Sequence, residues 1–162
     1  MSDVAIATIR STITETLQGI PAIGRVHDYE RYASAKADLK ALYEYEGQIR
    51  GWFVRRAGAA ETMPDTRLGR TAVDNRWQIR GYMSLADAEA SERAFDALVA
   101  TIQAAFRTDE TLGGVVNTTF FQDRAGIQVD DLGPVLFAGV LCHGARLSLR
   151  TRHWITGLQG TR

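Results

Sequence analysis

Nine residues, Asn75-Arg-Trp-Gln-Ile-Arg-Gly-Tyr-Met83, decide the fold of this 162-residue chain. Large apolar and polar side chains alternate along them, so that Trp77, Ile79 and Met83 point to one side and the polar residues between them point to the other. A repeat of two residues is the pattern of a strand with one buried face. The stretch therefore predicts a sheet with a hydrophobic side that another layer must cover.

A long amphipathic helix is predicted directly after this strand, over residues 84–107. The sequence Ser84-Leu-Ala-Asp87 resembles a capping box, with Ser84 as the N-cap and Asp87 reaching back from the third helical position. The apolar residues that follow recur at helical spacing along one stripe: Leu85, Ala88, Phe95, Leu98, Val99, Ile102 and Phe106. This helix is expected to cover the sheet.

Other elements flank this unit on both sides. The patterns before it predict, in order, a helix at Val4–Gln18, a short strand at Ile23–Tyr29, a helix at Ser34–Glu44 and a strand at Gly47–Arg56 with a kink at Gly51. The patterns after it predict strands at Leu112–Phe121, Gly126–Asp131 and Leu136–His153, with a turn at Asp130–Pro134. Residues 57–75 contain few large apolar side chains and predict a long exposed hairpin loop.

These elements predict one α+β domain over residues 1–162. A single, mostly antiparallel sheet would be covered by the N-terminal helix and by the long central helix at 84–107. The length suits one domain, because a chain of this size buries roughly two-thirds of its unfolded surface.

Charge and cysteine content narrow the possible functions. Nineteen basic residues balance nineteen acidic ones, which argues against a protein that mainly grips nucleic acid, although a local basic patch stays possible. Cys142 is the only cysteine, so no intramolecular disulfide can form, as suits a reducing cytoplasm. We expect no signal peptide and no membrane span, because no apolar run approaches the roughly 20 residues that a span requires.

No catalytic motif is visible in the sequence. The three histidines, His27, His143 and His153, could converge on a zinc ion, but ordinary surface or partly buried histidines are the favoured interpretation. Cys142 and His143 are neighbours on a predicted strand and should point apart, which favours a structural cysteine. We therefore expect no catalytic residue, no cofactor and no metal.

Arginine is far more frequent than lysine along this chain. Its planar fork suits ordered contacts at interfaces, so one group of charged residues is a candidate interface with a second subunit or with a tube: Arg55, Arg56, Arg67, Arg70, Asp74 and Arg76. A solvated sheet face with ordinary charge pairs is the competing interpretation.

The order of elements resembles the tail terminator proteins of long-tailed bacteriophages. The resemblance rests on an N-terminal helix, a strand, a hairpin ending in Trp77-Gln-Ile-Arg80, an Asp/Ala/Ser/Glu-rich helix at Ala86–Arg107 and closing strands, and it is nearest at Asn75–Asp109 and Leu141–Arg152. The chain differs from the compact family pattern in an insertion at Arg31–Glu46 and in the length of the loop between Arg56 and Arg76, which by this resemblance would project toward a neighbour, the tube or the lumen.

The resemblance implies a structural virion protein, assembled in the bacterial cytoplasm and located in the phage tail. Such proteins form a ring, typically a hexamer, that caps the tail tube, stops its polymerisation and offers a surface for the head–tail connector. Its partners would be copies of itself, the tail tube protein and the connector, with DNA only passing through the lumen. Two alternatives remain: another phage neck or head–tail connector protein, or a small α+β enzyme or ligand-binding domain. A concave cluster of His27, His143 and an aspartate would favour the enzyme.

Overall fold

The computed structural model describes residues 4–63 and 69–156. Over these ranges the chain forms three α-helices: α1 (Ile6–Gln18), α2 (Lys36–Leu42) and α3 (Ser91–Arg107). It also forms six strands: β1 (Arg25–His27), β2 (Glu44–Tyr45), β3 (Gln48–Thr62), β4 (Arg70–Ser84), β5 (Gln128–Phe137) and β6 (Val140–Thr156).

The strands form one sheet in the order β1-β3-β4-β6-β5, and the short β2 pairs with β3. The β1–β3 pairing is parallel, and the other pairings are antiparallel. The long β4–β6 ladder runs without interruption from Arg70 opposite Thr156 to Ser84 opposite Cys142. The predicted α+β fold with a mostly antiparallel sheet is confirmed.

The main core lies between the inner face of the sheet and helices α1 and α3. Trp77 and Ile79 of β4 are buried there, as their alternation predicted, beside Trp52 of β3. The predicted stripe of α3 is buried from Phe95 to Phe106, and its Phe95 ring stacks on that of Trp52 at a centroid distance of 5.9 Å. Burying these large rings and branched side chains supplies most of the stability, because each is worth roughly 1.5–3 kcal/mol.

A smaller core covers one end of the outer face of the sheet. It contains buried Tyr43, Ile49, Phe53 and Cys142, with α2 packed against it. The Tyr43 ring lies over Gly51, where a Cβ atom would come within 2.7 Å of it. Gly51 therefore makes room for an aromatic ring, and the β3 register continues through it, so the predicted kink is wrong.

The predicted start of the central helix at residue 84 is wrong. Ser84 is the last residue of β4, and its hydroxyl accepts a hydrogen bond from the backbone N–H of Ile49 at 2.9 Å instead of capping a helix. A 3₁₀ turn at Asp87–Glu89 and a left-handed residue, Ala90 (φ 54°), follow, and α3 begins at Ser91.

The predicted long loop is also wrong over most of its length. Strand β3 continues to Thr62 and β4 begins at Arg70, so the segment is a paired hairpin with a bulge at the register shift between Arg56 and Gly58. Residues 64–68 of the predicted loop lie outside the described residues.

The C-terminal half differs from the prediction in two places. Residues 112–121 form turns rather than a strand, held to β6 by a bridge between Thr118 and Arg152. The predicted turn at Asp130–Pro134 lies inside β5, and the predicted long closing strand is divided by a tight turn at Ala138 and Gly139. Both turn residues have positive φ, 50° and 78°, as the two-residue hairpin turns that match strand twist require.

Candidate interaction surfaces

Two cross-strand pairs of arginines, four residues in all, occupy the outer face of β4 and β6. In the register, Arg76 lies directly opposite Arg150, and Arg80 directly opposite Arg146. Alternation along β4 and β6 places all four on the side away from α1 and α3, and we call this group the arginine face. Like charges directly opposite each other on neighbouring strands cost stability. The fold therefore maintains an unfavourable arrangement at two positions, which are separated by Gln78 and Ser148.

Acidic side chains neutralise one end of this region. Arg152 donates two hydrogen bonds to Asp74, at 2.7 and 2.9 Å. Arg150 lies 3.5 Å from Asp123, and the ring of Phe121 lies under the guanidinium groups of both arginines at 4.7 and 5.2 Å. Within residues 4–63 and 69–156, no ion pair is formed by Arg76, Arg80 or Arg146.

The described members of the candidate interface group lie on the paired strands β3 and β4 and contact other residues of the chain. Arg55 pairs with Glu30 at 3.3 Å, and Arg56 donates to the side-chain oxygen of Asn75 at 3.5 Å. Arg70 lies over the Trp154 ring at 4.5 Å. Arg76 lies over Gly58, where a Cβ atom would meet its guanidinium group.

These contacts leave the interface role of the group a prediction. Asp74 is held by Arg152, and Arg67 lies outside the described residues. For the described members, the predicted projecting loop is replaced by the paired strands β3 and β4.

Among the described residues, two separate segments expose groups of apolar side chains. The segment after β1 exposes Tyr29 and, at 76% of its surface, Tyr32, and we call it the tyrosine edge. The hairpin of β5 and β6 exposes Leu132, Leu136 (70%) and Leu141 (52%), which share the inner side of the sheet; this is the leucine edge. Leu136 and Leu141 face each other across the hairpin.

A cleft of about 420 Å³ lies between the start of α3 and β5–β6. At its wall, Oγ of Ser91 lies 2.7 Å from Nε2 of His143 and accepts a hydrogen bond from the backbone N–H of Ala86 at 2.8 Å. Both side chains are buried, and the Phe95 ring stacks on that of His143. The serine hydroxyl thus joins the connecting loop, the first turn of the helix and the sheet.

The three histidines do not converge. His27 lies 2.6 Å from the carbonyl oxygen of Leu42, and its ring contacts Tyr43. His153 is buried beside Asn75 on the inner side of the sheet. Asp87 and Asp96 line the cleft with His143, but His27 does not, so the cluster expected of an enzyme is incomplete. No group of metal-binding side chains occurs in the part of the chain that the structure describes.

Cys142 is fully buried, and its burial raises the pKa of the thiol to about 11. A thiol with that pKa carries little thiolate near neutral pH, which fits the structural role predicted for it.

Sequence reasoning missed both apolar edges and the pairing within the arginine face. Arg146 and Arg150 stand out in the sequence, but only the β4–β6 register shows which residues lie opposite them. A comparison with known protein families and with curated proteins found no match to this chain. Among the described residues, no helix is both long and apolar enough to cross a membrane.

Proposed function

We propose that this protein is a structural virion protein that forms a hexameric ring on the end of a phage tail tube. The ring would stop tube polymerisation and provide the surface to which the head attaches. The observation that carries the proposal is the presence of two different groups of exposed apolar side chains, the tyrosine edge in the segment after β1 and the leucine edge on the β5–β6 hairpin. The resemblance of the element order to tail terminators supplies the identity of the assembly.

The two edges favour contact between unlike surfaces of identical subunits. Leu136 and Leu141 expose more than half of their surface, and such clustered apolar groups mark contact sites. A contact between the leucine edge of one copy and the tyrosine edge of the next is heterologous. Repeated contacts of this kind build a closed ring when the rotation between subunits closes, and a filament when it does not.

The sheet gives such a ring two chemically distinct surfaces. One side of the sheet is covered by α1 and α3, whereas the arginine face stays open on the other. A cap that ends a tube and receives a head must present different surfaces to its two partners. This asymmetry requires no catalytic group.

The first test is the solution mass over a wide concentration range, with electron microscopy of the same samples. We expect closed rings for the natural chain. The double variant Leu136→Ser/Leu141→Ser and the single variant Tyr32→Ser should each remain monomeric at concentrations where the natural chain is a ring. Met63→Ser is the matched control, because Met63 is an exposed apolar residue outside both edges, and this variant should form rings.

Mixing the two edge variants tests the direction of the contact. The leucine variant retains the tyrosine edge, and the Tyr32 variant retains the leucine edge. A mixture should therefore form dimers through these two unmutated edges and nothing larger. A symmetric contact that uses one edge twice would instead give homodimers of only the variant that retains that edge, and these would already form in the unmixed sample. A monomer at every concentration that also fails to arrest the growth of isolated tail tubes would contradict the proposed function.

A connector located elsewhere in the phage neck could form a ring by the same contacts. The partner distinguishes the two roles: a terminator binds the open end of a tail tube that lacks its head, whereas a neck connector binds the head vertex. Sedimentation of the ring with each purified particle decides between them.

A further inference from the structure

A shallow hollow of about 150 Å³ opens on the outer face of the sheet, at one end of the arginine face. It exists because Gly133 and Gly144 lie directly opposite each other on β5 and β6 and present no side chains. Val135 leans over Gly144, where a Cβ atom would come within 2.7 Å of it. Arg80 and Arg146 stand on the rim, at one register position.

The rim of the hollow carries hydrogen-bond donors for which the described residues supply no acceptor. Neither Arg80 nor Arg146 forms an ion pair with a described residue. Tyr82 also lines the hollow, and its burial raises its pKa while the two arginines oppose that rise. Its phenol is therefore protonated at neutral pH and can donate a hydrogen bond. Asp131, opposite Arg146 in the register, is the one carboxylate on the rim.

We infer that the hollow binds a phosphate group of a nucleic acid backbone. Two guanidinium forks and a phenol around a small concave site match the geometry and charge of a phosphate, which arginine binds with paired hydrogen bonds. The neighbouring pair, Arg76 and Arg150, lies four residues away along β4, about 13 Å at the usual rise of a strand. Because duplex DNA carries about one charge per 1.7 Å of its axis, a backbone lying along β4 meets both pairs.

The chemistry between the two pairs favours nucleic acid over an acidic protein. The residues that separate them, Gln78 and Ser148, are polar and lie opposite each other. Protein interfaces concentrate their affinity in buried aromatic and apolar anchors, and this face offers none between the arginine pairs. The exposed apolar groups lie at the tyrosine edge and the leucine edge instead.

The neighbouring acids limit the strength of binding. Asp74 accepts hydrogen bonds from Arg152, Asp123 lies beside Arg150, and Asp131 lies opposite Arg146 in the register. The face is therefore weakly positive within a chain of zero net charge. A contact of this kind holds a backbone loosely and independently of base sequence, and it weakens steeply with salt.

The inference does not depend on ring formation. It is tested by the fluorescence anisotropy of a labelled short duplex DNA, titrated with the full chain at several salt concentrations. We expect binding at low salt, and we expect Arg80→Gln/Arg146→Gln to weaken it at least tenfold. Loss of the one phosphate held in the hollow should also reduce the slope of log affinity against log salt by about 0.9. The matched control is Arg93→Gln/Arg107→Gln on the exposed side of α3, which should leave both quantities unchanged.

Four outcomes would overturn the inference. The first is the absence of duplex binding at low salt, and the second is an equal loss in the control pair. The third is binding of polyglutamate as tight as that of DNA, since it would assign the face to an acidic protein. The fourth outcome comes from a titration with inorganic phosphate. If inorganic phosphate perturbs the NMR signals of Arg80 and Tyr82 while duplex DNA does not, the hollow is a site for free phosphate and does not bind a nucleic acid backbone. Thermal melts confirm that every variant is folded.

Discussion

Asp74 and Arg152 face each other across β4 and β6 and are joined by two parallel hydrogen bonds, of 2.7 and 2.9 Å. The Asp74 side chain is 20% exposed and that of Arg152 is 31% exposed. The contact is bidentate and partly shielded from water, and it links β4 and β6 near one end of the sheet. Asp74 also neutralises the charge of Arg152, which lies next to the arginine face.

The first prediction concerns this pair. Asp74→Asn should lower the free energy of unfolding by about 1 kcal/mol, because a charge-assisted bidentate contact becomes a neutral one. A double-mutant cycle with Arg152→Gln, followed by urea unfolding, should give a coupling energy of about 0.5–1 kcal/mol. The same cycle on Arg55 and Glu30, where the arginine is 45% exposed, should give a smaller value. Equal couplings for the two pairs would show that shielding does not strengthen the contact.

The second prediction tests the joint at the start of α3. Ser91→Ala removes the hydroxyl that accepts from the N–H of Ala86 and contacts Nε2 of His143. Both partners are then left without this bond in a buried setting, which should cost about 1–3 kcal/mol in urea unfolding. Ser11→Ala, on the exposed side of α1, should change stability by less than about 0.5 kcal/mol. If Ser91→Ala lowers the free energy of unfolding no more than Ser11→Ala does, the hydrogen bonds of the Ser91 hydroxyl do not stabilise the start of α3.

The third prediction concerns Gly81, which lies opposite Trp52 on β3. A Cβ atom at Gly81 would come within 2.3 Å of the Trp52 ring, so Gly81→Ala should force the indole to shift and cost about 1–3 kcal/mol. Gly133→Ala is the matched control: this glycine is also in a strand, and an added Cβ atom meets nothing within 4 Å. Thermal unfolding of both variants measures the difference. If Gly81→Ala is no less stable than Gly133→Ala, the Trp52 ring has room to move.

The elements that could be predicted are those whose own side chains repeat with the period of the structure. The alternation at 75–83 and the stripe from Phe95 to Phe106 are consequences of burial, and both are confirmed. The capping pattern at Ser84 failed because a serine hydroxyl serves equally well as an acceptor for a neighbouring strand. Local sequence carries no information about which N–H will reach it.

The surfaces were harder to predict, since they depend on which residues lie opposite each other. The extension of β3 through residues 57–62 contains small and exposed residues, and its order comes from the ladder with β4. In the same way, the hollow beside Arg80 and Arg146 requires two glycines on different strands to be in register. Neither pairing follows from the period of a single segment.

The fourth prediction concerns the centre of the main core. The Phe95 ring lies between those of Trp52 and His143, at centroid distances of 5.9 and 5.6 Å. Phe95→Ala should cost about 3–5 kcal/mol, because it removes a buried ring and leaves a cavity. The exposed neighbour Asp96 provides the control, and Asp96→Ala should change stability by less than about 0.5 kcal/mol. A loss below about 1 kcal/mol at Phe95 would contradict the packing of α3 on the sheet.

The fifth prediction uses the buried thiol of Cys142, whose pKa is raised by burial from 9.0 to about 11. The folded chain keeps this proton at a pH where the unfolded chain has lost it. The contribution to stability is therefore complete below pH 9 and is lost as the pH rises toward 11. At pH 10 it should lower the free energy of unfolding by about 1 kcal/mol relative to pH 8.

Comparing the natural chain with Cys142→Ala isolates this contribution from the other groups that titrate in alkali. The small cavity left by the variant lowers stability by the same amount at both pH values, so the gap between the two proteins should narrow by about 1 kcal/mol on going from pH 8 to pH 10. The thiol of the folded protein should also react slowly with a thiol reagent at pH 8, because the thiolate is the reactive form. A gap that stays constant, together with fast labelling at pH 8, would show that Cys142 titrates as an exposed thiol does.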